Sequence, residues 1–176
     1  MLGTLITSRT RVRLLLKFFI NSSTTSYLRD LESEFGESTN AIRVELNRFE
    51  EAGLLTSNTI SNRKYFRANP SHPLFPDITN IVHKYVGLDR IIEVVTEKLG
   101  NLDSVYLTGS YAKGLENGAI DLVLVGNDID TAYMDKLVGK AKSLIKKDIR
   151  YELVNESEVL PLTQNQTKPL LLLWEA

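Results

Sequence analysis

Residues 106–126 read YLTGSYAKGLENGAIDLVLVG, and they indicate the fold more strongly than any other stretch of the chain. The stretch contains two apolar runs, each typical of a β-strand, with a Gly-Ser turn after the first. Gly109 allows the backbone to approach a phosphate closely, and the N–H groups after it can donate hydrogen bonds to that phosphate. Asp121 stands near the start of the second run. The pattern predicts a strand, a phosphate-binding turn and a second strand that carries an acid.

This turn and the residues after it resemble the signature of the nucleotidyltransferase superfamily. In that family Gly-Ser is followed, after a short spacer, by Asp-x-Asp, whose acids hold divalent metal on a nucleoside triphosphate. The resemblance implies a nucleotidyltransferase-like α/β domain with a small mixed sheet. It gives Asp121 the role of catalytic and metal-binding acid. It also implies a nucleotide site made of Gly109, Ser110, Tyr111 and Lys113.

The sequence departs from the family signature at the first acid, where Ala119 stands. One carboxylate on a strand rarely holds a catalytic metal pair. The family's third acid lies on the strand after the long helix, where this chain offers Glu152. We therefore expect Mg²⁺ on Asp121 and Glu152 if the domain is active, and no cofactor otherwise. Loss of one metal-binding acid removes orders of magnitude from phosphoryl-transfer rates, which favours a domain that has lost catalysis.

Composition limits the classes of protein that this chain can belong to. Residues 1–70 carry ten Lys and Arg against seven Asp and Glu, a net +3, whereas residues 71–176 carry eleven against fifteen, a net −4. A positive first half suits nucleic-acid binding. The chain has no cysteine, which excludes disulfides and Cys-ligated zinc. No apolar run is long enough to span a bilayer, so we expect a cytoplasmic protein with no membrane partner.

Capping residues and apolar spacing predict three helices in the first part of the chain. Ser8 or Thr10 can cap the first helix, and Gly36 ends the second. Ser38 caps a third helix, which Gly53 stops. These boundaries rest on local rules that relate each residue type to the free backbone groups at a helix end.

A hairpin follows the third helix, with strands expected at 54–60 and 64–68 around a polar turn. The order of three helices and a hairpin resembles the winged helix-turn-helix domains of ArsR-like bacterial regulators, over residues 8–68. The resemblance implies that the third helix enters the major groove of DNA and that the hairpin is the wing.

The third predicted helix has a polar face that suits contact with double-stranded DNA, since Arg, Asn and Thr read base edges or hold phosphates. Three arginines between positions 9 and 13 add positive charge. Glutamates at positions 45, 50 and 51 favour the alternative of an ordinary solvated face. The predicted DNA contacts are Thr39, Asn40, Arg43, Asn47, Arg63 and Lys64.

Three prolines within residues 69–76 mark a boundary, so we expect domains at 1–70 and 71–176. Four leucines end in Trp174, and we expect them to form a buried closing strand. The expected elements of the second domain are helices over 78–86, 91–99 and 129–147, with Gly100 ending the second of these, and strands over 102–108, 119–126, 149–154 and 170–174.

Nearly the whole chain resembles prokaryotic proteins that fuse an ArsR-like winged helix to a minimal nucleotidyltransferase domain, a two-domain α+β architecture. The first hypothesis is a DNA-binding transcription regulator, a homodimer through the helix at 78–86. Its second domain would sense a nucleoside triphosphate, dimerise or bind a partner. The alternative is an active Mg²⁺-dependent nucleotidyltransferase that acts on a protein, RNA or small-molecule acceptor. A third hypothesis is an interaction module of the toxin–antitoxin type.

Overall fold

The structure, a computed structural model, describes residues 2–96, 101–163 and 168–176. The protein is a mixed α+β protein with two small sheets. Its contacts divide it into two compact units: the first runs to Tyr85 and includes Gly114–Glu116, and the second comprises Val86–Lys113 and Asn117–Ala176. Among the described residues, no helix is long and apolar enough to cross a membrane.

Three helix ends of the first unit lie where the capping residues predict them. The Ser8 hydroxyl accepts a hydrogen bond from the backbone N–H of Arg11, and the Ser38 hydroxyl accepts one from that of Ala41. Gly36 ends its helix in the left-handed conformation, with φ of 61°. These predicted caps are confirmed. The helices are α1 Leu2–Leu5, α2 Arg9–Phe19, α3 Leu28–Phe35, α4 Thr39–Glu51 and α5 Phe75–Val86.

The first unit contains a three-stranded antiparallel sheet in the order β1-β3-β2. The predicted hairpin is present, and the two residues of its turn, Ser61 and Asn62, both have positive φ. Turns of that kind match the right-handed twist of paired strands. The strands are β1 Ser26–Tyr27, β2 Leu55–Ile60 and β3 Arg63–Ala68.

Helix α4 is amphipathic, and its orientation decides which residues can contact a partner. Ile42, Leu46 and Phe49 are buried, whereas Arg43 and Asn47 are exposed. Burying an aliphatic or aromatic side chain of this size contributes about 1.5–3 kcal/mol. The apolar spacing of three and four residues therefore fixes the polar face of α4 outward.

The second unit contains a four-stranded mixed sheet in the order β6-β5-β4-β7. Strand β4 is antiparallel to both β5 and β7, while β5 and β6 are parallel. The predicted strands at 102–108 and 149–154 are confirmed. The strands are β4 Leu102–Thr108, β5 Ile120–Gly126, β6 Ile149–Val154 and β7 Leu171–Glu175, and the helices are α6 Leu88–Thr96, α7 Gly109–Ala112, α8 Thr131–Ile145 and α9 Glu156–Thr163.

Three elements of the second half differ from expectation. Strand β7 is an edge strand with Leu172 46% exposed, so the prediction of a buried closing strand is wrong, because β7 has a neighbour on one side only. Helix α9 was not expected, since it contains Pro161 and lacks a clear apolar stripe. Of the helix expected over 91–99, residues up to Thr96 are helical, and Leu99 and Gly100 lie outside the described residues.

Candidate functional site

A groove of about 540 Å³ lies in the first unit between helix α4 and the turn of the β2–β3 hairpin. Within the described part of the chain, its lining holds four basic side chains and no acidic one. A concave surface of one charge sign concentrates ligands of the opposite sign. The groove is lined by Tyr27, Leu28, Arg29, Arg43, Leu46, Asn47, Ser61, Asn62, Arg63, Lys64 and Phe66.

The groove brings together four of the six residues predicted to contact DNA. Arg43 and Asn47 lie one turn apart on the exposed face of α4. Arg63 and Lys64 begin β3, directly after the hairpin turn. The other two, Thr39 and Asn40, stand at the beginning of α4, outside the groove lining.

Arg29 also lines the groove, although it is not among the predicted DNA contacts. It is the second residue of α3, where the helix dipole disfavours a cation. This unfavourable placement in the first turn of a helix is the sequence signal that could have marked Arg29.

The two basic residues of the hairpin differ in their surroundings. The Arg63 guanidinium lies 5.1 Å from the centre of the Tyr27 ring, and a hydrogen bond with Tyr65 raises the pKa of Arg63 above its ordinary value. The Lys64 ammonium lies 2.6 Å from Glu50 of helix α4. Hydrogen bonds from Lys64 and then Ser57 lower the pKa of Glu50. The positive charge of Lys64 is therefore partly offset by the Glu50 carboxylate, whereas the Arg63 guanidinium lies against an aromatic ring.

Two of the three N-terminal arginines are partly buried and pair with acids of their own unit, outside the groove lining. The Arg11 guanidinium donates to both oxygens of buried Glu45, at 2.9 and 3.2 Å, and Arg13 pairs with Glu37 at 2.9 Å. Glu45 also accepts from Ser8 and from Arg48. Glu45 therefore faces its own protein, and the expectation that it stands on a solvated face is wrong.

The Gly-Ser turn of the second unit lies against the acid at the start of β5. Strand β4 ends at Thr108, which is opposite Asp121 in the antiparallel register. Gly109 has φ of 68°, and a Cβ at this position would lie 2.5 Å from the Asp121 carboxylate. The glycine is required here because the backbone approaches Asp121 so closely.

Both carboxylate oxygens of Asp121 accept hydrogen bonds from Arg150. The Nε and Nη2 atoms of Arg150 lie 2.6 and 2.9 Å from Oδ1 and Oδ2 of Asp121. The two residues are partners in the parallel register of β5 and β6. The bond to Asp121 and the charge of Asp121 raise the pKa of Arg150. This bidentate geometry is the strong form of a carboxylate–guanidinium pair.

A cavity of about 380 Å³ surrounds this ion pair. Glu152 also lines it, two residues beyond Arg150 on β6 and opposite Val123 in register. The structure therefore gathers three predicted site residues, Gly109, Asp121 and Glu152, around one cavity. The full lining is Thr108, Gly109, Asp121, Leu122, Arg150, Tyr151, Glu152 and Lys168.

Three residues of the predicted nucleotide site lie outside that cavity lining. Tyr111 is only 3% exposed, and the Lys147 ammonium lies 5.4 Å from the centre of its ring. Ser110 belongs to the short helix α7, and Lys113 follows it with an exposed side chain. Tyr111 is placed to pack in the interior of the second unit.

Tyr151, which lines the same cavity, also contacts helix α8. Its hydroxyl donates to Asp135 at 2.6 Å. Burial, together with the hydrogen bond and charge of Asp135, raises the pKa of Tyr151 to about 12. The tyrosine therefore stays protonated at neutral pH and acts as a hydrogen-bond donor to α8.

The acids of the cavity do not form a complete metal site. Across residues 2–96, 101–163 and 168–176, no three His, Asp or Glu side chains stand close enough to hold a metal ion. Mg²⁺ requires near-octahedral oxygen ligation. Both oxygens of Asp121 are bonded to Arg150 instead.

No protein-family model matches this chain, and no curated protein matches it. Any functional assignment therefore rests on the geometry and charge of the groove and the cavity.

Proposed function

We propose that this protein is a DNA-binding transcription regulator whose first unit is a winged helix-turn-helix domain. The proposal draws on the order α2, β1, α3, α4, β2, β3 and on a sheet ordered β1-β3-β2. In such domains the third helix enters the major groove and the hairpin contacts the DNA backbone. The observation that carries the proposal is the groove beside α4, with its four basic side chains.

The groove residues divide into two roles on DNA. Arg43 and Asn47 project from the exposed face of α4, and their side chains suit hydrogen bonding to guanine and adenine edges. Arg29 and Arg63 flank that helix on α3 and on the hairpin, which suits contact with phosphates. Each phosphate contact releases counterions from the DNA, so affinity should fall steeply as salt rises.

We propose a homodimer, with helix α5 as the contact between two copies. Leu74 and Ile81 are large apolar side chains that lie exposed just before α5 and on it. A two-fold dimer would place two copies of α4 on half-sites one helical turn of DNA apart. The second unit would then carry a nucleotidyltransferase-like fold that takes part in regulation without catalysis.

The alternative of an active nucleotidyltransferase is less well supported by the cavity. That activity needs Asp121 to bind Mg²⁺, and the carboxylate of Asp121 is bonded to Arg150 at both oxygens. The position of the family's first acid is occupied by Ala119.

The test of DNA binding is selection from a genomic fragment library at low salt, followed by fluorescence anisotropy of the selected duplex over a range of salt concentrations. Arg29→Ala with Arg63→Ala should reduce the slope of log affinity against log salt by about 1.8, since each phosphate contact contributes about 0.9. Arg9→Ala with Arg67→Ala is the matched control, because it removes two exposed charges of the same unit outside the groove lining and away from α5. Failure to bind any duplex at low salt would rule out the proposal.

A further inference from the structure

We propose that the Arg150 guanidinium stands in place of a divalent cation in the second unit, so that its cavity accepts no Mg²⁺–triphosphate. The inference rests on the proposed nucleotidyltransferase-like fold of that unit and is independent of DNA binding. It assigns Arg150 a role as a resident cation that joins β5 to β6.

Arg150 occupies both carboxylate oxygens of Asp121. Nε and Nη2 of Arg150 form two parallel bonds to Asp121, one to each oxygen. A guanidinium fork matches a carboxylate in this geometry better than any other side chain. A metal ion on Asp121 would have to displace both bonds and then lie beside a permanent positive charge.

The backbone of the sheet also holds the pair together. Asp121 and Arg150 face each other in a parallel pair of strands, so their separation is set by the sheet. On its other side, the carboxylate lies against the backbone of Gly109. The side chain of Asp121 is 23% exposed and so partly buried, whereas that of Arg150 is 67% exposed. The arginine therefore covers the acid from the solvent side.

The charges of the cavity lining balance one another. Asp121 and Glu152 supply two negative charges to the cavity lining, and Arg150 and Lys168 supply two positive charges. Mg²⁺ in such sites is held by one or two carboxylates together with phosphates of the substrate. Because the charges of this lining balance, it offers no excess negative charge to a metal ion.

It follows that replacing Ala119 alone does not rebuild a metal site. An aspartate at position 119 would lie two residues before Asp121, at the position directly before β5. The Arg150 guanidinium would still hold both carboxylate oxygens of Asp121. Both changes, Ala119→Asp and Arg150→Gln, are needed to offer free carboxylates to a cation.

The experiment measures Mn²⁺ binding by electron paramagnetic resonance in the full chain. Wild type and Ala119→Asp should show no saturable binding at millimolar Mn²⁺. Ala119→Asp with Arg150→Gln should show saturable binding, with an affinity at least about tenfold tighter than that millimolar limit. A change of this size is typical of one altered supporting residue at a metal site. Adding Asp121→Asn to that double variant should abolish the new site.

Arg150→Lys is a second variant, which keeps the positive charge and loses the two parallel N–H donors of the guanidinium. In the Ala119→Asp background it should still exclude Mn²⁺. Circular dichroism and thermal unfolding check that each variant folds. Saturable Mn²⁺ binding by wild type that Asp121→Asn abolishes would overturn the inference. Equal Mn²⁺ binding by Ala119→Asp with and without Arg150→Gln would also overturn the inference. The same holds if the double variant folds and binds no Mn²⁺. None of these results would alter a measured affinity for DNA.

Discussion

The Lys64 ammonium donates a hydrogen bond of 2.6 Å to the Glu50 carboxylate, which ties strand β3 of the hairpin to the end of helix α4. The same lysine lines the basic groove. Glu50 therefore supports the position of the hairpin and at the same time reduces the positive charge that the groove can offer to DNA.

Glu50→Gln should strengthen DNA binding, because it removes a negative charge near the groove and releases Lys64. If Lys64 then reaches a phosphate, the salt slope should steepen by about 0.9. Anisotropy titrations at several salt concentrations measure both effects. Glu51→Gln is the matched control, since Glu51 is an exposed neighbour on the same helix. Equal changes in the two variants would contradict a specific role for the Glu50–Lys64 pair.

Arg43→Ala should weaken binding to the selected duplex by about 1–3 kcal/mol and relax the preference for one base pair. Arg63→Ala should instead weaken binding to all duplexes alike and lower the salt slope by about 0.9. Lys64→Ala should lower the salt slope by less, because Glu50 already holds that lysine. Competition with single-base variants of the duplex separates the two behaviours. A uniform loss in Arg43→Ala would remove it from base recognition.

Glu45 should make the first unit sensitive to acid. Burial alone raises the pKa of Glu45, but hydrogen bonds from Arg11 and Ser8 and the charges of Arg11 and Arg48 outweigh it, so the pKa lies below its ordinary 4.5. A lowered pKa contributes stability above pH 4.5 that is lost as the pH falls through the folded value. Glu45→Gln should lower the free energy of unfolding at neutral pH by about 1–3 kcal/mol.

The measurement for Glu45 is the urea midpoint followed by circular dichroism from neutral pH to below the ordinary pKa. The difference in urea midpoint between wild type and Glu45→Gln should become smaller as the pH falls. The reason is that wild type then loses the ion pair that the variant lacks at every pH. Glu51→Gln, at an exposed position, should follow wild type throughout. A gap that is constant with pH would show that the charge of Glu45 is not what stabilises the unit.

Ile81→Asp should convert the proposed homodimer to a monomer, since it places a charge on the exposed apolar face of α5. Ile81 is 47% exposed, so the substitution should leave the fold intact. Light scattering after size exclusion gives the mass. Leu144→Asp is the control, because Leu144 is a similarly exposed apolar residue on α8. A dimer that persists in Ile81→Asp would place the contact elsewhere.

Local chemistry in the sequence by itself determined most of the helices and strands. Ser8, Gly36 and Ser38 mark helix ends because they satisfy free backbone groups through their own side chain or conformation. Strand β6 was predicted over its full length because its residues carry a local strand pattern. The exposed positions of Arg43 and Asn47 followed from the helical repeat of α4.

Only the tertiary structure decided which distant residues meet. Arg150 is 29 positions from Asp121, and it contacts that acid because β5 and β6 pair in parallel in one register, which strand patterns alone do not specify. Strand β7 has a strand pattern like that of its neighbours, yet strand order places it at the sheet edge. Arg29 enters the groove for the same reason, since the packing of α3 beside α4 depends on contacts between side chains far apart in the chain.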